Sequence, residues 1–128
     1  DLAREFPEIR FWVTPLSFRD QYELCVDAAV FPNITPWGTW WYNLQPTLAE
    51  QITSMRLEML GLSFWPQHSD ARHLWHLISK WQDTREMLTK VLTRRFDQSA
   101  QAGVNVSPES ISGAIRTLFD PARAGICF

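Results

Sequence analysis

The sequence contains few of the short motifs that identify nucleotide-binding or nucleophilic enzymes. Its five glycines are scattered, and neither the GxGxxG nor the GxxxxGK phosphate-binding pattern is present. The GxSxG turn that exposes a nucleophilic serine is also absent, and no cysteine has a histidine partner nearby in the sequence. Nucleophilic catalysis and phosphate cradling by a glycine-rich loop therefore have no support in the sequence.

Cysteine is scarce as well, with only Cys25 and Cys127 in the chain. Two cysteines are too few for a disulfide scaffold, and their spacing matches no CxxC or Cys/His zinc pattern. Cys25 falls on the apolar face of a predicted helix, where a thiol behaves as a small hydrophobic group. We therefore expect a buried free thiol in a reducing, intracellular environment, with a Cys25–Cys127 disulfide as the alternative.

No excess of charge of one sign and no long apolar run is present. Twelve basic residues against fourteen acidic ones give a net charge of −2, so the chain lacks the basic character of a typical nucleic-acid-binding domain. The longest uncharged stretch, residues 28–49, contains three prolines and many polar groups, which excludes a membrane-spanning helix. These features predict a soluble protein that has no membrane contact, and nothing in the sequence indicates a metal or another cofactor.

The length of 128 residues fits one globular domain, which we expect to span residues 1–128. A complete TIM barrel needs roughly 200 residues or more, so the chain as given is too short for one. Hydrophobic periodicity, capping residues and prolines together predict a mostly helical α+β fold with four helices packed on three or four short strands. The predicted strands cover residues 8–14, 39–45 and 62–65, with a fourth possible at 125–128, and the predicted helices cover residues 17–30, 47–60, 70–97 and 107–119.

Three histidines and an aspartate form the most chemically suggestive cluster. His68, His73 and His76 lie within nine residues of one another, with Asp70 among them. If the long helix begins near Asp70, then Asp70 and His73 are neighbours at i, i+3 on its surface. A carboxylate that orients an imidazole is the start of a general acid–base pair, although a helical wheel places these histidines on the outward face.

Tryptophan and arginine are unusually frequent, with seven tryptophans and ten arginines against two lysines. Arg85 falls within the apolar stripe of the long helix, so it must meet a carboxylate, reach solvent or face a partner chain. Trp75 lies off that stripe, and the cluster of Trp37, Trp40 and Trp41 is too large for a single strand face. Because Trp and Arg dominate interface hot spots, we expect these five residues to form a protein–protein interface.

A basic group, Lys90, Arg94 and Arg95, lies toward the end of the same helix. Cations near a helix C-terminus are favoured by its dipole, which is sufficient to explain them. A contact with a nucleic-acid backbone is the sharper alternative.

Three functions from different classes follow from these observations. The favoured one is a non-catalytic assembly module, expected to form a homodimer and to bind another protein, as accessory factors of viral and other assemblies do. The second is a small hydrolase, dehydratase or isomerase that uses His68, His73 or His76 with Asp70. The third is nucleic-acid binding through Lys90, Arg94 and Arg95.

Overall fold

The computed structural model describes residues 2–67 and 70–120. Within these ranges the chain forms five α-helices, two β-strands and one 3-10 helix. In chain order the elements are α1 (Leu2–Glu5), β1 (Phe11–Val13), α2 (Asp20–Val30), β2 (Ile34–Pro36), a 3-10 helix (Trp41–Leu44), α3 (Pro46–Leu60), α4 (Leu74–Gln101) and α5 (Pro108–Leu118). The prediction of a mostly helical α+β fold is confirmed.

The two strands pair in parallel, and Trp65 extends this pairing. Phe11 lies opposite Ile34 and Val13 opposite Pro36, while Trp37, directly after β2, forms a parallel bridge with Trp65. Each of these segments is followed by helix, so the order is β1, α2, β2, α3, the Trp65 segment and then α4. Neighbouring parallel strands joined by helical crossovers are the unit from which β/α sheets are built.

The start of α5 and the end of α3 follow the capping signals of the sequence, whereas α2, α3 and α4 begin without a side-chain cap. Ser107 and Ser110 form a reciprocal capping box before α5, and Pro108 occupies the first helical position. α3 likewise begins at a proline. It ends at Gly61, whose φ of +60° suits a residue without a Cβ and whose N–H donates to the carbonyl of Leu57.

Two of the predicted strands are wrong. Residues 39–45 contain the 3-10 helix Trp41–Leu44 rather than a strand. The side chain of Asn43 is buried there and donates to the carbonyls of Pro15 and Leu16, which fixes this turn against the loop after β1. Of residues 62–65 only Trp65 pairs, through an isolated bridge. The possible strand at 125–128 lies outside the described residues.

The core lies between α3, α4 and α5, and it differs from the predicted helix faces. Leu57, Phe64, Val91 and Leu118 form a buried cluster. On α4 the predicted stripe holds only in its second half, because Leu88 is buried whereas Leu74 and Ile78 are largely exposed. On α2 the buried side chains are Gln21, Leu24 and Cys25, whereas Tyr22 on the same helix and Phe18 just before it are exposed.

Truncation of two leucines on α4 tests this division of the helix. Leu88 is 4% exposed and Leu74 is 82% exposed. We expect Leu88→Ala to lower the free energy of unfolding by about 2–5 kcal/mol, because it leaves a cavity in the core. Leu74→Ala has the same effect on helix propensity and should change stability by less than about 0.5 kcal/mol. Urea unfolding of the two variants measures both values, and equal losses would contradict the assigned core.

Candidate functional site

The parallel arrangement brings the carboxyl ends of three segments to one edge of the sheet. Backbone N–H groups connect them there: Trp37 donates to the carbonyl of Val13 at 2.9 Å, and Gly38 donates to that of Trp65 at 2.8 Å. The residues that follow each segment therefore emerge on the same side. In parallel α/β structures ligands bind at the carboxyl ends of the strands, so this edge is the candidate ligand-binding site.

Asp70 is the carboxylate that the chain after Trp65 carries to this edge. Its side chain is exposed, and one carboxylate oxygen, Oδ2, accepts a hydrogen bond from the indole Nε1 of Trp40. Trp40 comes from the chain after β2, so the contact joins two of the three converging segments. Asp70 and the half-buried Trp40 form the centre of the candidate site.

Backbone strain is concentrated at the same place. Asp70 has a φ of +33° and Trp41 has a φ of +55°, and these are the only non-glycine residues with positive φ in the described part of the chain. Such conformations cost about 1–3 kcal/mol each and persist only where surrounding contacts impose them. Strained residues cluster at ligand-binding sites, so their occurrence on both sides of the Trp40–Asp70 contact supports a functional role for it.

The segment that leads to Asp70 is held against α4 by polar contacts. The buried side chain of Gln67 donates to Thr84 Oγ1 at 2.7 Å. Lys80 Nζ, one turn earlier on the helix, donates to the backbone carbonyl of Asp70 at 3.0 Å. These bonds fix the approach to Asp70 from the helix side and place a cation beside it.

His73 and His76 do not form the predicted pair with Asp70. α4 begins at Leu74 with His73 as its extended N-cap, so Asp70 precedes the helix and the expected i, i+3 geometry is absent. His73 is exposed and its ring lies 5.3 Å from that of the half-buried His76. The Nδ1 atom of His76 is buried and makes no hydrogen bond within the described part of the chain. His68 lies outside the described residues.

Two further polar groups at this edge escaped the sequence analysis. Thr14, directly after β1, has a buried hydroxyl with no hydrogen-bond partner among the described residues. Arg72 follows Asp70 by two positions and is exposed. A single hydroxyl and a single arginine carry no sequence signal of their own. The parallel pairing of β1 with β2 places Thr14 at the carboxyl edge, and Arg72 is close to Asp70 in the chain.

The structure places the five predicted interface residues in the tryptophan-rich segment after β2 and on α4. Trp37 packs edge-to-face against Trp12 at 5.9 Å, whereas Trp41 lies beside Trp40 and is about half exposed. Trp75 is 66% exposed on the first turn of α4. Arg85 is also exposed and lines an apolar groove between α4 and α5, so it is not buried within the described part of the chain, and its contact with a partner chain stays a prediction.

The basic group on α4 is not at the helix end. The helix continues to Gln101, so Lys90, Arg94 and Arg95 lie well before its C-terminus and the dipole does not explain them. Arg94 instead pairs with Glu50 of α3 at 2.7 Å. This pair connects two helices and leaves Lys90 and Arg95 exposed on either side of it.

Cys25 is fully buried as a free thiol, as expected. Burial raises its pKa, an effect that the nearby Arg56 guanidinium partly offsets, and the thiol therefore stays protonated at neutral pH. Cys127 lies outside the described residues. In residues 2–67 and 70–120 no three His, Cys, Asp or Glu side chains converge as they would around a metal ion, and no helix there is long and apolar enough to cross a bilayer.

Comparison with known proteins relates the chain to a segment of a sugar-acid enzyme. No protein-family model and no curated protein matches it. Among solved structures, the chain is similar to a uronate isomerase from Bacillus halodurans C-125, with 41% sequence identity and a TM-score of 0.92. The match covers 98% of this chain but only 31% of the isomerase chain, so the chain spans about a third of the length of that enzyme.

The Trp40–Asp70 contact makes a spectroscopic prediction. Asp70→Asn replaces a charged acceptor by a neutral one and weakens the bond to the indole N–H. We expect the indole proton resonance of Trp40, assigned with Trp40→Phe, to move upfield in the NMR spectrum. The indole resonance of Trp12, whose ring packs against Trp37 and Trp65, serves as an internal control. A Trp40 resonance that does not move would show that the contact is absent in solution.

Proposed function

We propose that this chain is a catalytic segment of a uronate isomerase and that Asp70 is its acid–base residue. The observation that carries the proposal is the position of Asp70. Its exposed carboxylate lies at the carboxyl edge of a parallel sheet and accepts a hydrogen bond from Trp40, and its own backbone is strained. The similarity to a uronate isomerase across 98% of the chain supports the same reading. An isomerase was among the functions that the sequence left open, although with a His–Asp pair rather than a Trp–Asp contact.

The chemistry of a uronate isomerase fits these groups. Interconversion of an aldehyde and a ketone in a sugar moves two protons, one from the carbon next to the carbonyl to the carbonyl carbon and one from the neighbouring hydroxyl to the carbonyl oxygen, with no net gain or loss of atoms. A carboxylate such as Asp70 is suited to accept that proton and return it. The Trp40 indole holds one carboxylate oxygen, which leaves the other free to face the substrate.

Recognition of the substrate's own carboxylate requires a cation. Arg72 is exposed two residues after Asp70, and Lys80 donates to the Asp70 carbonyl. A guanidinium binds a carboxylate through two parallel hydrogen bonds, so Arg72 is the better suited of the two.

The remaining part of the enzyme would come from chain beyond these residues. The segment matches 31% of the isomerase, and its β/α units are of the kind that extend sideways into larger sheets. On this proposal residues 1–128 contribute one side of the active site, and further strands contribute the other. Their folding as one separate domain stays a prediction.

An activity assay tests the proposal on the intact natural protein. The substrates are D-glucuronate and D-galacturonate, and the ketone products are followed by NMR. We expect turnover of at least one uronate, and a loss of about 10²- to 10⁴-fold in kcat for Asp70→Asn, because the general base is removed.

Two controls make the assay decisive. D-Glucose and D-galactose lack the carboxylate and should not react. Asp27→Asn changes an exposed acid on α2 and should retain full activity. Absence of uronate turnover by the wild-type protein, or full activity of Asp70→Asn, would refute the proposed function.

Self-association through the exposed start of α4 is a second, compatible candidate. Leu74, Trp75 and Ile78 are 82%, 66% and 68% exposed and lie on consecutive turns of one helix. Exposed apolar patches of this kind mark protein–protein contacts, which favours the homodimer expected from the sequence. Roles for Trp37, Trp41 and Arg85 in such an interface, and for Lys90, Arg94 and Arg95 in nucleic-acid binding, stay predictions.

Light scattering across a concentration series measures this association. If the patch forms a dimer interface, Trp75→Ala should weaken the dimer by roughly 5-fold or more, since a buried tryptophan anchor contributes over about 1 kcal/mol. Tyr22→Ala removes an exposed aromatic from α2 and is the matched control. A monomeric wild-type protein, or a dimer that Trp75→Ala leaves unchanged, would exclude this interface.

A further inference from the structure

Arg56 is a buried cation that has no acidic partner among the described residues. Its side chain is 1% exposed, and its Nη1 and Nη2 atoms donate to the carbonyl of Gly38 and to Gln21 Oε1, each at 2.7 Å. The third donor, Nε, makes no hydrogen bond within the described part of the chain. Burial lowers the pKa of Arg56 to about 10, so the guanidinium is still charged at neutral pH.

This arrangement is costly for a purely structural residue. A buried charge loses its hydration, and uncharged acceptors recover only part of that loss. An apolar side chain such as methionine could fill the same space between α2 and α3 without desolvating a charge. An apolar side chain could not donate a hydrogen bond to the carbonyl of Gly38. The function of Arg56 therefore lies in this hydrogen bond.

Gly38 stands at the point where the chain leaves β2 for the candidate site. Its φ is +58°, a conformation that favours glycine. Its N–H donates to the carbonyl of Trp65 while its own carbonyl accepts from Arg56, so both sides of this residue are fixed. Two residues later, the extended backbone of Trp40 directs the indole to the carboxylate of Asp70.

We propose that Arg56 is a positioning residue: by holding the carbonyl of Gly38 it sets the direction of the following chain, and thereby the contact between Trp40 and Asp70. The role of this contact in catalysis rests on the proposed isomerase function. Arg56 lies behind the loop and has no direct contact with Asp70, so it acts through Trp40 alone. Its guanidinium serves as a fixed two-pronged donor, which lysine cannot reproduce because it is a single point of charge.

The test measures the position of Trp40 and the catalytic rate separately in the intact natural protein. Labelling with 5-fluorotryptophan gives a ¹⁹F resonance for each tryptophan, and Trp40→Phe identifies that of Trp40. We expect Arg56→Met to shift this resonance and to reduce kcat on the uronate substrate by about 10- to 100-fold, the loss typical of a misplaced catalytic group, with little change in KM. Arg56→Lys should give a smaller shift and a partial recovery of kcat.

Leu57→Ala is the matched control, since Leu57 is the next residue on α3 and packs into the core cluster with Phe64, Val91 and Leu118. It should lower stability to a comparable extent while leaving the Trp40 resonance and kcat unchanged. If Arg56→Met leaves the Trp40 resonance in place, or if Leu57→Ala moves it equally, Arg56 is not a positioning residue. Because the ¹⁹F measurement needs no turnover, it decides this question even if the protein proves inactive on uronates, which would refute only the proposed function.

Discussion

Parallel backbone pairing between three short segments determines where every candidate functional group lies. β1, β2 and the residue Trp65 contribute only a few hydrogen bonds, but these bonds align the three carboxyl ends. The chain turns from each end toward a helix, and the turns carry Thr14, Trp40 and Asp70 to one edge. The helices α2 and α3 serve as the crossovers between these segments and keep them adjacent.

The site combines a rigid support with a strained surface. Buried polar side chains hold the support: Arg56 reaches Gly38, Asn43 reaches the loop after β1, and Gln67 reaches α4. Above them, Trp41 and Asp70 adopt left-handed backbone conformations that an isolated chain would avoid. The energy for this strain comes from the surrounding hydrogen bonds, which is how a carboxylate can be kept oriented while remaining open to a ligand.

Local signals predicted the helices well and the site poorly. Ser107 with Pro108, and Gly61 after α3, mark helix ends through chemistry confined to a few residues, so the sequence sufficed for them. The aromatic run at 39–45 has the composition of a strand, but the tertiary contacts of Asn43 impose a 3-10 turn.

The predicted pairing of Asp70 with His73 required a helix that begins at Asp70, whereas α4 begins four residues later. Arg56 was overlooked because a charged residue within an amphipathic pattern is normally assigned to the surface. A chain of 128 residues is too short for a complete β/α barrel, and the parallel pairing of β1, β2 and Trp65 joins residues that are too distant in the sequence for local patterns to reveal it.

A crystal structure of the intact natural protein with a bound uronate is the most direct test of the central claim. The claim predicts that the sugar acid binds at the carboxyl edge of the sheet. The Asp70 carboxylate should lie within hydrogen-bonding distance of the oxygens bonded to the two reacting carbons. Arg72 or Lys80 should then contact the substrate's carboxylate. A uronate bound elsewhere on the protein, with Asp70 facing only solvent, would contradict it.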